Sequence, residues 1–96
     1  MIPEYKGGRL TPQQNMVINC LQNGWELITC SEMHGAIVAN KDYEFRIGSR
    51  LFWNLVKKGL IYQDHGYSFG HDWSYILTLA GESVKTKNIQ HLIKTN

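Results

Sequence analysis

Polar and basic side chains recur at helical spacing in the stretch Ile47 to Leu60, IGSRLFWNLVKKGL. Arg50, Asn54 and Lys57 follow one another at steps of four and then three residues, which places them on one face of a helix. Arginine and asparagine suit the hydrogen-bonding edges of guanine and adenine, and a lysine ammonium suits phosphate. The spacing therefore predicts a helix face with the chemistry to contact duplex DNA.

Trp53 and Lys58 fall on the same helix face when the residues are projected at about 100° each. A tryptophan among cations is typical of a surface that meets a partner. Two other interpretations stay open. The cations could be the ordinary solvated side of an amphipathic helix, and Trp53 could be covered by the N-terminal residues or by the strands before the helix.

A second group of chemically capable residues lies between Gln63 and Trp73, in the sequence QDHGYSFGHDW. We predict an exposed loop here, whose aromatic residues either pack back on the sheet or project outward. If Tyr67 and Phe69 project outward, they suit a protein partner, because aromatic residues dominate protein–protein hot spots. Trp73 is expected to pack back on a sheet. The loop contains Asp64 and Asp72 but no lysine or arginine, so it would oppose phosphate rather than attract it.

The same loop holds the only sequence pattern that resembles a metal-ligand set. His65 and His71 stand beside Asp64 and Asp72 in DHG and GHD. Two histidines without designated further ligands fall short of a zinc site. We therefore expect ordinary titrating surface residues and no bound metal.

Catalytic motifs are missing from the sequence. It contains no nucleophile motif around a serine or cysteine, no glycine-rich phosphate loop and no HExxH. His34 stands near Cys30 and Glu32, but closeness within a turn is common. We expect neither an enzyme nor a cofactor.

Composition fits one ordered domain. The 96 residues are 43% hydrophobic and 19% charged, with a formal net charge of +2, so a nucleic-acid site requires the basic residues to share one face. We predict an N-terminal arm over residues 1–9 and a single domain over residues 10–96. No apolar run is long enough for a membrane span and the N-terminus lacks a signal-peptide core, so we expect a cytoplasmic protein with Cys20 and Cys30 reduced.

Start and stop signals frame a first helix. Thr11 is a predicted N-cap, Pro12 occupies the first helical position and Gln14 completes a capping box. Gly24 is expected to end the helix. The predicted buried stripe consists of Met16, Val17, Cys20 and Leu21.

Similar signals frame the helix predicted over residues 50–58. Ser49 is its expected N-cap, and Gly59 with Leu60 fits the end of a Schellman motif. The predicted buried stripe consists of Leu51, Phe52, Leu55 and Val56.

Period-two patterns predict strands between and after these helices. The predicted strands are residues 25–30, 36–39 and 43–47, followed by a pair formed by residues 60–62 and 74–77. Thr78 is expected to cap a last helix with an inward face of Val84, Ile89, Leu92 and Ile93.

Three segments carry a resemblance to a known fold: LTPQQNMVINCLQNG at residues 10–24, LVKKGLI at 55–61 and YILTLAGE at 75–82. They resemble a winged helix-turn-helix domain, and in particular small phage and prophage proteins with a β-hairpin between their first two helices. The resemblance implies an α+β fold with three helices and a small antiparallel sheet. It also implies a recognition helix at 50–58 and a wing at 62–75, with the strands of residues 25–47 in place of the usual second helix.

Two functions follow from this resemblance. The first is a small sequence-specific DNA-binding regulator, in which Arg50, Asn54 and Lys57 contact bases or phosphates and Arg46 and Lys58 add backbone contacts. Such a regulator gains affinity as a homodimer, for which the last helix is the expected element.

The alternative is a phage-encoded module that binds and inhibits or adapts a host protein, for example a component of a defence system. It would use Trp53, Tyr67 and Phe69. A subunit of a larger nucleoprotein assembly is a third interpretation.

Overall fold

In the part of the chain that the structure describes, three helices and a five-stranded antiparallel sheet share one core in an α+β fold. The structure is a computed structural model that describes residues 9–30, 35–69 and 72–86, without the side chains of 30, 65–69 and 72. The elements in chain order are α1 (Pro12–Gln22), β1 (Glu26–Cys30), β2 (Ala36–Ala39), β3 (Glu44–Ile47), α2 (Ser49–Lys57), β4 (Ile61–Phe69), β5 (Asp72–Leu77) and α3 (Leu79–Ser83).

The predicted capping of α1 is confirmed at both ends. The Thr11 hydroxyl accepts from the Gln14 amide at 3.1 Å, and the Gln14 side chain accepts from the Thr11 amide at 3.0 Å. Gly24 turns left-handed with φ +91°, which lets the Trp25 amide bond the Cys20 carbonyl at 3.0 Å. The turn delivers the buried Trp25 to the start of β1.

The buried side of α1 is broader than the predicted stripe. Val17 and Cys20 are fully buried as expected, but so is Ile18, whereas Met16 and Leu21 are only half-buried. The helix contacts β5, α2 and α3. Because these elements lie on several sides of α1, they bury more of its surface than a single row of residues.

The strands form one sheet in the order β3-β2-β1-β5-β4. The first three strands make a meander, each starting within one residue of its predicted position, and the β4–β5 hairpin joins it through β1 and β5. Leu27 stands opposite both Val38 and Tyr75, so these three share one face. We call this the inner face, because Leu27 and Val38 are fully buried there; the opposite side is the outer face.

The loop predicted for residues 63–73 was wrong in its extent. β4 continues to Phe69 and β5 starts at Asp72. The pairing passes from Gln63 opposite Tyr75 to Ser68 opposite Trp73 through a register shift. That irregularity absorbs the extra residues of β4, so glycine and polar residues did not end the ladder.

The last helix was also predicted too long. The Thr78 cap is confirmed, since its hydroxyl accepts from the Gly81 amide at 3.0 Å. However, α3 ends at Ser83 and Val84 is already extended. The Gln22 amide donates to the carbonyls of Gly81 at 2.9 Å and Val84 at 2.8 Å, and this clamp on α1 holds the segment out of helical geometry. Ile89, Leu92 and Ile93 lie outside the described residues.

Candidate nucleic-acid interface

The start of α2 differs from the sequence prediction. Gly48, in extended conformation, is the N-cap, and no side chain caps the helix; the expected N-cap Ser49 is the first helical residue. The Gly48 carbonyl accepts the first helical bond, from the Phe52 amide at 3.1 Å. β3 ends at Ile47, which leaves only Gly48 as a connection. The helix therefore begins at Ser49, one residue earlier than it would if Ser49 were the N-cap.

The end of α2 is the predicted Schellman motif. Gly59 has φ +75°, its amide bonds the Val56 carbonyl at 2.9 Å, and the Leu60 amide bonds the Leu55 carbonyl at 3.1 Å. Leu55 and Leu60 are both fully buried, so the apolar contact of the motif is part of the core. The end of the helix is therefore fixed in position before β4 begins.

One side of α2 is anchored on the inner face of the sheet. Phe52 and Leu55 are buried, and Leu51 and Val56 are half-buried against the same core. The Phe52 ring meets the Tyr75 ring edge-to-face, with centroids 4.7 Å apart at 87°, a favoured aromatic geometry. Tyr75 thus supports the helix from β5.

Sequence reasoning did not identify Tyr75 as that support. The alternation of β5 could have suggested it, because Tyr75 lies between Ser74 and Ile76 and must face the other way. Burial raises the pKa of the Tyr75 phenol, so the ring is a neutral platform under the helix.

The other side of α2 carries the predicted residues in one row. Arg50, Asn54 and Lys57 are all exposed, and 53% of the Trp53 side chain is accessible. We call these four residues the α2 stripe. Trp53 also contacts Phe52, with ring centroids 5.0 Å apart, so its ring is partly held while the rest faces solvent.

The α2 stripe is electrostatically one-sided. The helix sequence SRLFWNLVK contains two cations and no carboxylate. Lys57 lies in the last turn, where a positive side chain complements the helix dipole. The stripe therefore presents positive charge, an amide and an aromatic ring together.

The structure does not bring the other two predicted DNA contacts into this row. Lys58 is the half-buried C-cap residue of α2 and has an interaction of its own. Arg46 is exposed on β3 opposite Ile37, and strand alternation puts it on the outer face, away from α2. Of the five predicted DNA contacts, only Arg50, Asn54 and Lys57 thus lie together on the exposed side of α2.

The predicted partner residues of the hairpin cannot be placed. Tyr67 and Phe69 belong to β4, but their side chains lie outside the described residues, as do those of His65, His71 and Asp72. Trp73 is 38% exposed, so it is only partly packed on the sheet.

The described residues hold neither a candidate metal cluster nor a readily ionised thiol. They contain no group of three His, Cys, Asp or Glu side chains that could hold a metal ion. Burial raises the pKa of the Cys20 thiol to about 11, which keeps it protonated and unreactive at neutral pH.

The helices in the described part of the chain are too short and too polar to cross a membrane. No protein-family model matches the sequence, and comparison with curated proteins and with solved structures found no match.

Proposed function

We propose that this protein is a small sequence-specific DNA-binding regulator of the phage or prophage type, which binds duplex DNA through the α2 stripe. The observation that carries the proposal is the exposed row Arg50, Asn54 and Lys57 on a helix whose opposite side is fixed in the core. A helix held in this way presents its polar side chains at defined positions, as reading of base edges requires.

The arrangement of strands around α2 supports a winged-helix mode of binding. α2 runs directly into the β4–β5 hairpin, and β1 pairs with β5 rather than with β4. In a winged-helix domain the recognition helix likewise leads into the wing hairpin, whose second strand pairs with the strand after the first helix. α2 would then enter the major groove, which admits one α-helix. The hairpin holds Asp64 and Asp72 between Gln63 and Trp73 and no lysine or arginine there, so the helix rather than the hairpin would bind the duplex.

Each residue of the stripe has a distinct expected role. Arg50 would bind guanine through O6 and N7, and Asn54 would bind adenine through N6 and N7. Lys57, near the end of the helix, would neutralise a phosphate. Arg46 and Lys58 would contribute longer-range attraction to the backbone rather than base contacts.

Regulation would follow from occupancy of an operator, where the bound domain blocks or recruits polymerase. A homodimer on two half-sites would raise the affinity of a domain with this modest charge.

Fluorescence anisotropy on a labelled random-sequence duplex tests the proposal. We expect binding that weakens steeply between about 50 and 200 mM salt. Arg50→Ala with Lys57→Ala should lower the affinity by about tenfold or more. Lys41→Ala with Lys85→Ala removes the same charge from exposed positions outside α2 and should have a much smaller effect. No binding at low salt, or equal losses in the two double variants, would overturn the proposal.

A second function is favoured by one observation, the 53% exposure of Trp53. Tryptophan is a typical anchor of protein–protein hot spots, so the same helix face would suit a protein that binds and inhibits a host protein. Binding of that kind would be lost with Trp53→Ala and would tolerate loss of Arg50 and Lys57.

A further inference from the structure

The outer face of the sheet contains a groove that no residue of the α2 stripe lines. Its volume is about 580 Å³, and residues of β1, β5 and β4 line it together with Glu82 of α3. Leu21, Trp25, Tyr75 and Leu77, which belong to or pack against the core, also contribute to the lining. This size falls within the roughly 300–1,000 Å³ that is typical of ligand pockets. We call it the outer-face groove.

Two exposed apolar side chains form the middle of the groove. Tyr62 stands directly opposite Ile76 in the β4–β5 pairing, and they are 49% and 37% exposed. Leu27 pairs with Tyr75, so Glu26, one residue earlier, falls beside Ile76 on the same face. An aromatic ring and an aliphatic side chain are therefore bordered by a carboxylate.

The charge of the groove has a single sign. Glu26, Asp64 and Glu82 line it, and no lysine, arginine or histidine is among the described residues that do. Glu26 and Glu82 are exposed and lie at the same end, one at the start of β1 and the other on α3. Such a surface repels phosphate and attracts cations.

We propose that the outer-face groove binds a short cationic and aliphatic peptide segment of a partner protein. An arginine or lysine of the segment would lie over the Tyr62 ring, its stem or a neighbouring leucine would cover Ile76, and its charge would meet Glu26 and Glu82. Charge complementarity and the apolar pair identify this occupant together, because the carboxylates repel the phosphates of a nucleic acid and the apolar pair offers contact area to an aliphatic side chain.

This surface extends the proposed function and does not depend on it. α2 packs on the inner face, so a molecule bound to DNA through the α2 stripe would keep the groove free for a protein partner. A protein that binds no DNA would present the same groove.

Titration of the ¹⁵N-labelled full chain with the peptide Ac-Arg-Leu-Arg-Leu-NH₂, followed by amide chemical shifts, tests the proposal. We expect shifts concentrated at Tyr62, Ser74 and Ile76. The double change Glu26→Gln with Glu82→Gln should lower the affinity for the peptide by about five- to thirtyfold. The control Glu44→Gln changes an exposed carboxylate on β3 outside the groove and should leave that affinity unchanged. DNA binding should survive both changes, which separates failure here from failure of the DNA proposal.

Four outcomes would overturn it. The first is equal binding of Ac-Glu-Leu-Glu-Leu-NH₂, and the second is a set of shifts centred on α2. The third is a concentration-dependent shift of Tyr62 and Ile76 without peptide, which would assign the groove to a second copy of the chain. The fourth is peptide binding that appears only after Lys87→Glu with Lys94→Glu, which would assign it to the chain's own C-terminal residues.

Discussion

The α2 stripe and the outer-face groove lie on opposite sides of one sheet and differ in both charge and support. The stripe sits on a helix with no carboxylate, fixed by the buried Phe52 and Leu55. The groove is lined by carboxylates on strands and on the short α3, and its most exposed apolar members are Tyr62 and Ile76. The comparison teaches that one small domain can carry a positive surface and a negative surface on opposite sides of its sheet, so that solvent screening leaves only a weak influence of one on the other.

The largest expected difference between the two regions is in how much a side chain of each contributes to the free energy of unfolding. Leu55→Ala removes a fully buried side chain beneath the stripe, and we expect it to lower the free energy of unfolding by about 2–5 kcal/mol. Ile76→Ala, in the groove, should cost about 1 kcal/mol or less because the side chain is already 37% exposed. Urea denaturation measures both, and equal losses would contradict the difference in support.

Removal of the stripe cations should separate binding from stability. Arg50 and Lys57 are exposed, so changing both to alanine should alter the free energy of unfolding by only about 0.5 kcal/mol per site. DNA affinity should fall by about tenfold or more, and the salt dependence should become shallower by about one unit of slope for each lost phosphate contact. Anisotropy across a salt series, with denaturation of the same samples, measures the two effects. A salt slope identical to that of the wild type would show that these cations do not face phosphate.

The end of α2 should depend on the left-handed residue that fixes it. Gly59 has φ +75°, and Gly59→Ala should cost about 1–2 kcal/mol. Gly48→Ala is the matched control, since Gly48 has φ −73° and open space around it; its change should be smaller. Thermal unfolding followed by circular dichroism compares the two, and an equal cost would argue against the Schellman motif as the support of the stripe.

The smallest expected effect is electrostatic and acts across the sheet. Glu26→Gln with Glu82→Gln makes the domain more positive at a distance from α2, so DNA affinity should rise by about twofold at low salt and return to the wild-type value at high salt. Anisotropy at two salt concentrations detects this. A large loss of DNA affinity would mean that the groove, not the stripe, faces the duplex.

Local chemistry explains which elements could be predicted from the sequence. The Thr11 capping box, the Thr78 cap and the Gly59 turn each depend on residues within a few positions of one another, and all three are present. The α2 stripe followed from the same kind of short-range spacing, because a helix converts sequence separation directly into direction.

Features set by tertiary contacts could not be predicted in this way. The length of the β4–β5 hairpin depends on a register shift between distant residues, and the early end of α3 depends on the Gln22 side chain of α1. Arg46 is predicted to add contacts to the DNA backbone beside the α2 stripe, but strand alternation turns it to the outer face. The outer-face groove is lined by residues that lie between Leu21 and Glu82 in the sequence, so no short sequence pattern predicts it.

One measurement addresses the central claim most directly: titration of the ¹⁵N-labelled protein with a random-sequence DNA duplex, followed by amide chemical shifts. We predict that the shifts concentrate on α2, around Arg50, Asn54 and Lys57, and leave Tyr62 and Ile76 of the groove unchanged. Shifts concentrated on the outer face, or no shifts at low salt, would contradict the assignment of the α2 stripe as a DNA-binding surface.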